Sequence, residues 1–311
     1  MIGVVAAVGV AAILLVGIIW SPLGFGLTKP RAGGSAATPS PSLPSLTLPI
    51  RAAFYYPWFP EAWRQQRMDP YSHYRPSLGY YATDETTVRE HVRAMQYAKI
   101  SVGIASWWGP GSQTDDRVPT LLQIAGLTGF KWALYYEQEG QGDPGGTQIA
   151  SDLKYIQAHY SQQPGYLRVG GRPVLFVYAD GADGCGMAAR WKQANSLGFY
   201  VVLKVFPGYR ACASQPEGWH QYAPAGAEDF QPGFSFTISP AFWKASERAP
   251  RLARDPLRWS QSVNDMLASK APWQLLTTFN EWGEGTSVED AVQWQTPSGY
   301  GVYLDILHRA S

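Results

Sequence analysis

Short apolar runs that alternate with amphipathic stretches constrain this 311-residue chain more than any other feature. Residues 51–58 (RAAFYYPW), 101–107 (SVGIASW), 131–136 (KWALYY), 173–178 (PVLFVY) and 200–205 (YVVLKV) are apolar without alternating. Such runs read as strands buried on both faces. Between them lie helical patterns. Residues 87–98 place Val88, Val92, Met95 and Ala98 on one side, with Thr87 and Glu90 as a capping box. Residues 118–125 follow Asp115 and Asp116 as cap candidates, and 147–160 set Ile149, Leu153, Ile156 and Tyr160 in register. The second half is less regular. A helix is expected at 187–197, strands at 219–222, 234–238 and 275–279, and a closing helix at 300–308. Asp255 should cap another helix, with Pro256 at its first position. Buried strands separated by helices need a parallel sheet covered on both faces. Eight such units in about 260 residues predict an α/β fold, a (β/α)8 TIM barrel. A doubly wound open sheet has the same periodicity and is the alternative.

Ahead of this domain, residues 2–20 carry no charge, long enough for a helix to span a bilayer. Residues 1–28 are therefore expected to be a signal peptide or transmembrane anchor, so the protein is expected at the cell surface or outside the cell, tethered or secreted. Lys29 and Arg31 follow the run instead of preceding it, an order that charge alone would not favour for export. A start site placed too far downstream, hiding a basic segment, would account for it. Residues 29–49, rich in Pro, Ser, Thr and Gly, read as a semi-rigid linker, and residues 50–311 as the catalytic domain.

Only 16% of residues are charged and the net charge is +1, which argues against a nucleic-acid partner. Aromatics reach 14%, with 13 Trp and 18 Tyr. Part of that is core; the excess also suits a protein that stacks sugar faces. Cys185 and Cys212 form an even pair, which in an exported chain points to one disulfide, buried free thiols being the alternative. The five histidines are scattered without metal-ligand spacing, and no cofactor is expected. A monomer is expected.

In a barrel the strand C-terminal ends share one face, where sites are built. Those ends carry Tyr55, Tyr56 and Trp58; Trp107 and Trp108; Glu137, with Gln138 and Glu139; Tyr178 and Asp180; and Tyr222. The last strand runs into Asn280-Glu281-Trp282-Gly283-Glu284-Gly285, with Glu289 beyond. Successive strand residues face opposite sides, so one of Tyr55 and Tyr56 must enter the core. One of Trp107 and Trp108 should likewise be core and the other cleft. His73 and His91, standing alone, read as structural. Cleaving a glycosidic bond usually takes one acid to protonate the leaving oxygen and one carboxylate as base or nucleophile. Glu281 and Glu284, three apart on a turn loosened by two glycines, are the candidates.

Five segments, in order, resemble glycoside hydrolase family 99, the endo-acting α-mannosidases and α-mannanases. They are FYYPWF at 54–59, YRPSLGYYATD at 74–84, SWW at 106–108 with Glu137 beyond it, PVLFVY at 173–178, and FNEWGEGTSVE at 279–289. In the last, the family reads FNEWHEGTxIE. The resemblance implies a (β/α)8 barrel that retains anomeric configuration without metal or cofactor. It implies Glu281 as base on the sugar's own 2-hydroxyl, giving a 1,2-anhydro sugar, and Glu284 as acid and then base for water. It further implies that Tyr55, Tyr56, Trp107, Glu137, Asn280, Trp282 and Glu289 line subsites; Trp58, Trp108, Tyr178 and Tyr222 join them by position. Gly283 stands where the family has His, so the glycan could differ from mannan. A non-catalytic glycan-binding barrel and a partner in surface-polysaccharide synthesis are the other readings these residues allow.

Overall fold

The apolar runs become strands of one sheet in the computed structural model, which describes residues 43–310. In chain order the strands are β1 (Ile50–Tyr55), β2 (Val102–Trp107), β3 (Lys131–Tyr136), β4 (Arg168–Val169), β5 (Arg172–Val177), β6 (Tyr200–Lys204), β7 (Gly218–His220), β8 (Glu228–Gln231), β9 (Ser235–Ile238) and β10 (Trp273–Leu276). The sheet order is β7-β6-β5-β3-β2-β1-β10-β9-β8. Every ladder from β7 round to β9 is parallel. β4 and β8 are antiparallel additions, paired with β5 and β9. Without those two, eight parallel strands form the nearly closed sheet of a (β/α)8 barrel. No ladder joins β7 to β9. Instead the Thr237 hydroxyl donates to the Gln221 carbonyl, just past β7, at 2.6 Å.

The strand bodies show why the sheet is buried twice. In and just past β1, Ala52, Phe54 and Tyr56 face the barrel interior, where they meet Ile104, Tyr135, Phe176, Val202 and Leu275. Ala53 and Tyr55 face the outer layer, with Val88, Val92, Trp132 and Leu134. The two-residue period of a strand sorts the side chains between two cores.

That outer layer is made by α1 (Glu85–Tyr97), α2 (Val118–Thr128), α3 (Gly146–His159), α4 (Cys185–Ala194), α5 (Pro256–Ser269) and α6 (Gly301–Arg309). Asp255 caps α5 as expected, its carboxylate accepting from the Leu257 and Arg258 amides. Elsewhere the capping differs. Asp84, not Thr87, caps α1, accepting from the Thr87 amide at 2.8 Å. Asp115 caps nothing: it is buried and accepts from Trp107 Nε1, the Gly111 amide and the hydroxyls of Tyr155 and Tyr160. No α-helix follows β6 or β7, so the barrel rim there is loop. Cys185, at the start of α4, is bridged to Cys212 in the loop after β6. The end of the expected linker already belongs to the domain, since the Leu46 amide donates to the Arg168 carbonyl at 2.9 Å. The 2–20 apolar run lies outside the described residues; among those described, no helix is long and apolar enough to cross a membrane.

Candidate active site

The turn after β10 is held from all sides, contrary to the loose loop its glycines suggested. Asn280 accepts from the Tyr56 amide at 2.7 Å and donates to the Tyr56 carbonyl at 3.0 Å, fastening the turn to the end of β1. The Glu281 amide donates to the Thr278 hydroxyl. From the loop after β9, the amides of Trp243 and Ala245 each donate at 2.8 Å to the carbonyls of Glu284 and Gly283. Gly285 has φ +66°, and a Cβ there would lie 2.7 Å from the Trp243 carbonyl, so this close approach requires glycine. Arg254 donates to the carbonyls of Gly285 and Ser287.

Above the turn opens a cavity of about 360 Å³. Glu281 and Glu284 form part of its lining with Tyr56, Trp58, Trp108, Glu137, Tyr178 and Tyr222. The pairs Tyr55/Tyr56 and Trp107/Trp108 divide as strand geometry required: Tyr56 and Trp108 line the cavity, while Tyr55 and Trp107 are core. Tyr55 bonds His91 at 3.0 Å and Trp107 bonds Asp115 at 2.6 Å. Three more expected subsite residues are also absent from the lining. Asn280 is engaged by Tyr56, while Trp282 donates from Nε1 to the Tyr81 hydroxyl and to Glu289. Glu289 accepts from Tyr81 at 2.6 Å and lies 3.2 Å from His91 Nε2. These five form the layer behind the site, on the far side of the strand ends. Tyr71, Gln65, Gln141 and Lys244 line the cavity and were not singled out in the sequence. They lie outside the strands, so no strand period marks them; the proximity of Tyr71 to the 74–84 motif was the one available signal.

The acids sit in an environment that resists ionisation. Glu281 is 5% exposed, and its Oε2 has no hydrogen-bond partner among the described residues. Burial pushes its carboxyl well above the usual range, reinforced by the charge of Glu284. The Glu284 amide donates to Glu281 Oε1 at 3.2 Å and partly offsets this. Glu284 is also raised by burial, but less severely opposed: Lys244 Nζ lies 3.9 Å away and the Tyr222 hydroxyl donates to it at 3.2 Å. Tyr56 in turn donates to the Tyr222 hydroxyl, making a relay from barrel interior to acid. Glu137, across the cavity, is raised to about 8, chiefly by burial. Outside the cavity, Glu139, Asp143 and Asp183 bring carboxylate oxygens within 4.8 Å of one another. Arg190 bonds Glu139 directly and lies 3.5 Å from Asp143, supplying their counter-charge.

Two raised acids on the floor of an aromatic-walled barrel mouth suit sugar chemistry. Residues 51–193 match the model of glycosyl hydrolase family 99. The matched segment is just under half of the chain, and over it the chain is similar to that family. The chain is 24% identical over 288 residues to the glycoprotein endo-alpha-1,2-mannosidase-like protein of Homo sapiens, covering 76% of this chain and 61% of that one. To the glycoprotein endo-alpha-1,2-mannosidase of Mus musculus it is 24% identical over 294 residues, covering 79% and 62%. The chain thus spans just over three fifths of these relatives' length. The solved family 99 endo-alpha-mannosidase from Bacteroides thetaiotaomicron, in complex with BIS-TRIS-propane, superposes with a TM-score of 0.67. That match is at 20% identity and covers 84% of this chain and 94% of that one, a likeness of fold. The family-model match stops at residue 193, ahead of the Glu281 turn.

Proposed function

We propose that this chain is an endo-acting glycoside hydrolase that cleaves α-mannosidic or related α-linked polysaccharide with retention of configuration. The observation that carries the reading is the Glu281/Glu284 pair, one acid's amide bonded to the other's carboxylate, on the floor of the aromatic cavity. In the mechanism the family resemblance implies, Glu281 takes the proton of the sugar 2-hydroxyl. That oxygen attacks the anomeric carbon, and the glycosidic oxygen leaves with the proton of Glu284. Water then gives a proton to Glu284 and attacks the anomeric carbon. The epoxide opens, and its oxygen recovers the proton held by Glu281. Tyr56, Trp58, Trp108, Tyr178 and Tyr222 are the sugar-contacting walls. Endo action is supported by the shape of the cleft. Beyond Asp180, which lines both, a second open groove of about 440 Å³ continues over the ends of β6 and β7. The absence of α-helices after those strands leaves room there for further sugar units.

The roles of the two acids are tested by leaving-group dependence. An α-mannosyl fluoride needs little protonation to depart, so Glu284→Gln should keep the first step on that substrate, with turnover restored by added azide, which needs no base, and should lose α-mannan cleavage. Glu281→Gln should lose both. The opposite pattern would reverse the assignment, and wild-type inactivity on α-mannans and other α-linked glycans would overturn the hydrolase reading. A disulfide suits an oxidising compartment, so export, tethered or secreted, and action as a monomer complete the proposal.

A further inference from the structure

Gly283 lies between the two acids, and its backbone does not require glycine. Unlike Gly285, it has no positive φ. What excludes a side chain is its surroundings. An ideal Cβ at 283 would lie 2.7 and 2.8 Å from Cε1 and Cδ1 of Tyr71, and 3.0 Å from Glu281 Oε1. No real Cβ tolerates the first two distances. The Tyr71 ring and the Glu281 carboxylate therefore share the space over the bare Gly283 backbone.

We propose that Tyr71 is a substrate-facing wall of the cavity, admitted beside Glu281 because position 283 has no side chain, and that Tyr71 and Gly283 act as one steric unit selecting which sugar fits against the acid pair. The inference rests on the hydrolase reading and names a specificity determinant within it. Tyr71 is fixed in that position. Its amide donates to the Trp63 carbonyl at 2.7 Å, and its hydroxyl accepts from Gln66 Nε2 at 3.0 Å. The side chain is mostly buried yet lines the cavity with Gly283, Glu281 and Glu284. The hydroxyl accepts from Gln66 and keeps its own proton to donate, and an aromatic ring beside a carboxylate is the surface a sugar's C–H face packs against. The neighbouring loop is braced as well: His73 stacks on Trp243 at 3.8 Å and bonds the Lys244 carbonyl. Removing the ring would open the space beside the Glu281 carboxylate, whose burial is the main cause of its raised pKa.

The experiment compares Tyr71→Ala, Tyr71→Phe, Gly283→Ala and the Tyr71→Ala/Gly283→Ala double variant of the full chain. Thermal midpoint is measured together with kcat and KM on a panel of α-linked manno-oligosaccharides and gluco-manno-oligosaccharides. Gly283→Ala should lower the midpoint and reduce kcat/KM by about tenfold or more, and in the Tyr71→Ala background the same change should lower the midpoint much less. Tyr71→Ala should raise KM more than it lowers kcat, change the order of preference within the panel, and move the acid limb of the kcat/KM profile to lower pH. Tyr71→Phe, which keeps the ring, should keep the wild-type order of preference. An unchanged order of preference and pH profile in Tyr71→Ala would overturn the proposal, as would Gly283→Ala being equally harmful with and without the Tyr71 ring. Wild-type inactivity on every panel member would overturn the hydrolase reading instead, and the midpoint comparison would still decide whether the two positions form a steric unit.

Discussion

Glu281 and Glu289 leave the same turn for opposite surroundings. Glu289, in the layer behind the site, is met by Tyr81, Trp282 and His91. Glu281, in the cavity, has a buried oxygen with no partner and a carboxyl pushed far above its usual range. Both are almost fully buried. Each keeps one buried oxygen without a hydrogen bond among the described residues; what separates them is the other oxygen, which in Glu289 takes the side-chain donors of Tyr81 and Trp282 and in Glu281 takes a single backbone amide. Glu137 belongs with Glu281: buried, one oxygen unpartnered, raised to about 8.

The largest effect that would test this contrast is catalytic. Glu281→Gln should reduce kcat on α-linked glycans on the order of 10²- to 10⁴-fold, the usual range for a lost acid or base, while its thermal midpoint stays equal or rises. Turnover and calorimetry on the same preparation check both halves. Glu289→Ala should do the reverse in stability, costing about 3–5 kcal/mol in denaturant unfolding because the buried groups around it lose their partner. If Glu289→Ala were as stable as Glu281→Gln, the distinction between the two layers would fail. Next, replacing Cys185 and Cys212 together by Ser should cost about 3.5 kcal/mol for a closed loop of this size. Because the bridge ties α4 to the loop after β6, outside both layers, the protein that remains folded should keep its kcat.

The smallest effect concerns pH. A carboxyl whose folded pKa is raised binds its proton more tightly in the native state. Its stabilising contribution is full below the ordinary value of 4.5 and is lost as pH rises towards about 8 for Glu137. Glu137→Gln should therefore flatten the fall in thermal midpoint between pH 5 and 8, and stabilise the protein at the upper end. A wild-type midpoint that fell no more than the variant's across that interval would contradict the burial argument.

The strand-end rule located the cavity but overfilled it. Tyr56, Trp58, Trp108, Glu137, Tyr178, Tyr222 and the two acids line it, whereas Tyr55, Trp107, Asn280, Trp282 and Glu289 stand behind it. For Tyr55 and Tyr56 the period of two makes the split necessary without saying which residue goes where. After β10 the period ends, and the turn's own hydrogen bonds choose: they send Asn280 to β1 and Trp282 towards Tyr81. Asp115 shows the same limit. An acid before a helix reads as a cap until three aromatic side chains from other elements converge on it.

What the sequence by itself determined is whatever depends on local period and composition. That covers the run of buried strands and helices, the parallel sheet they imply, the α5 cap at Asp255, and the Glu281/Glu284 pair at the end of the last strand. What only the tertiary structure decided depends on contacts between residues far apart in the chain. It filled the space over Gly283 with Tyr71, brought Lys244 to Glu284, and left the rim over β6 and β7 without helices. A glycine in a turn reads locally as backbone freedom. Its meaning here comes from a ring contributed by the opposite end of the domain, which no local pattern encodes.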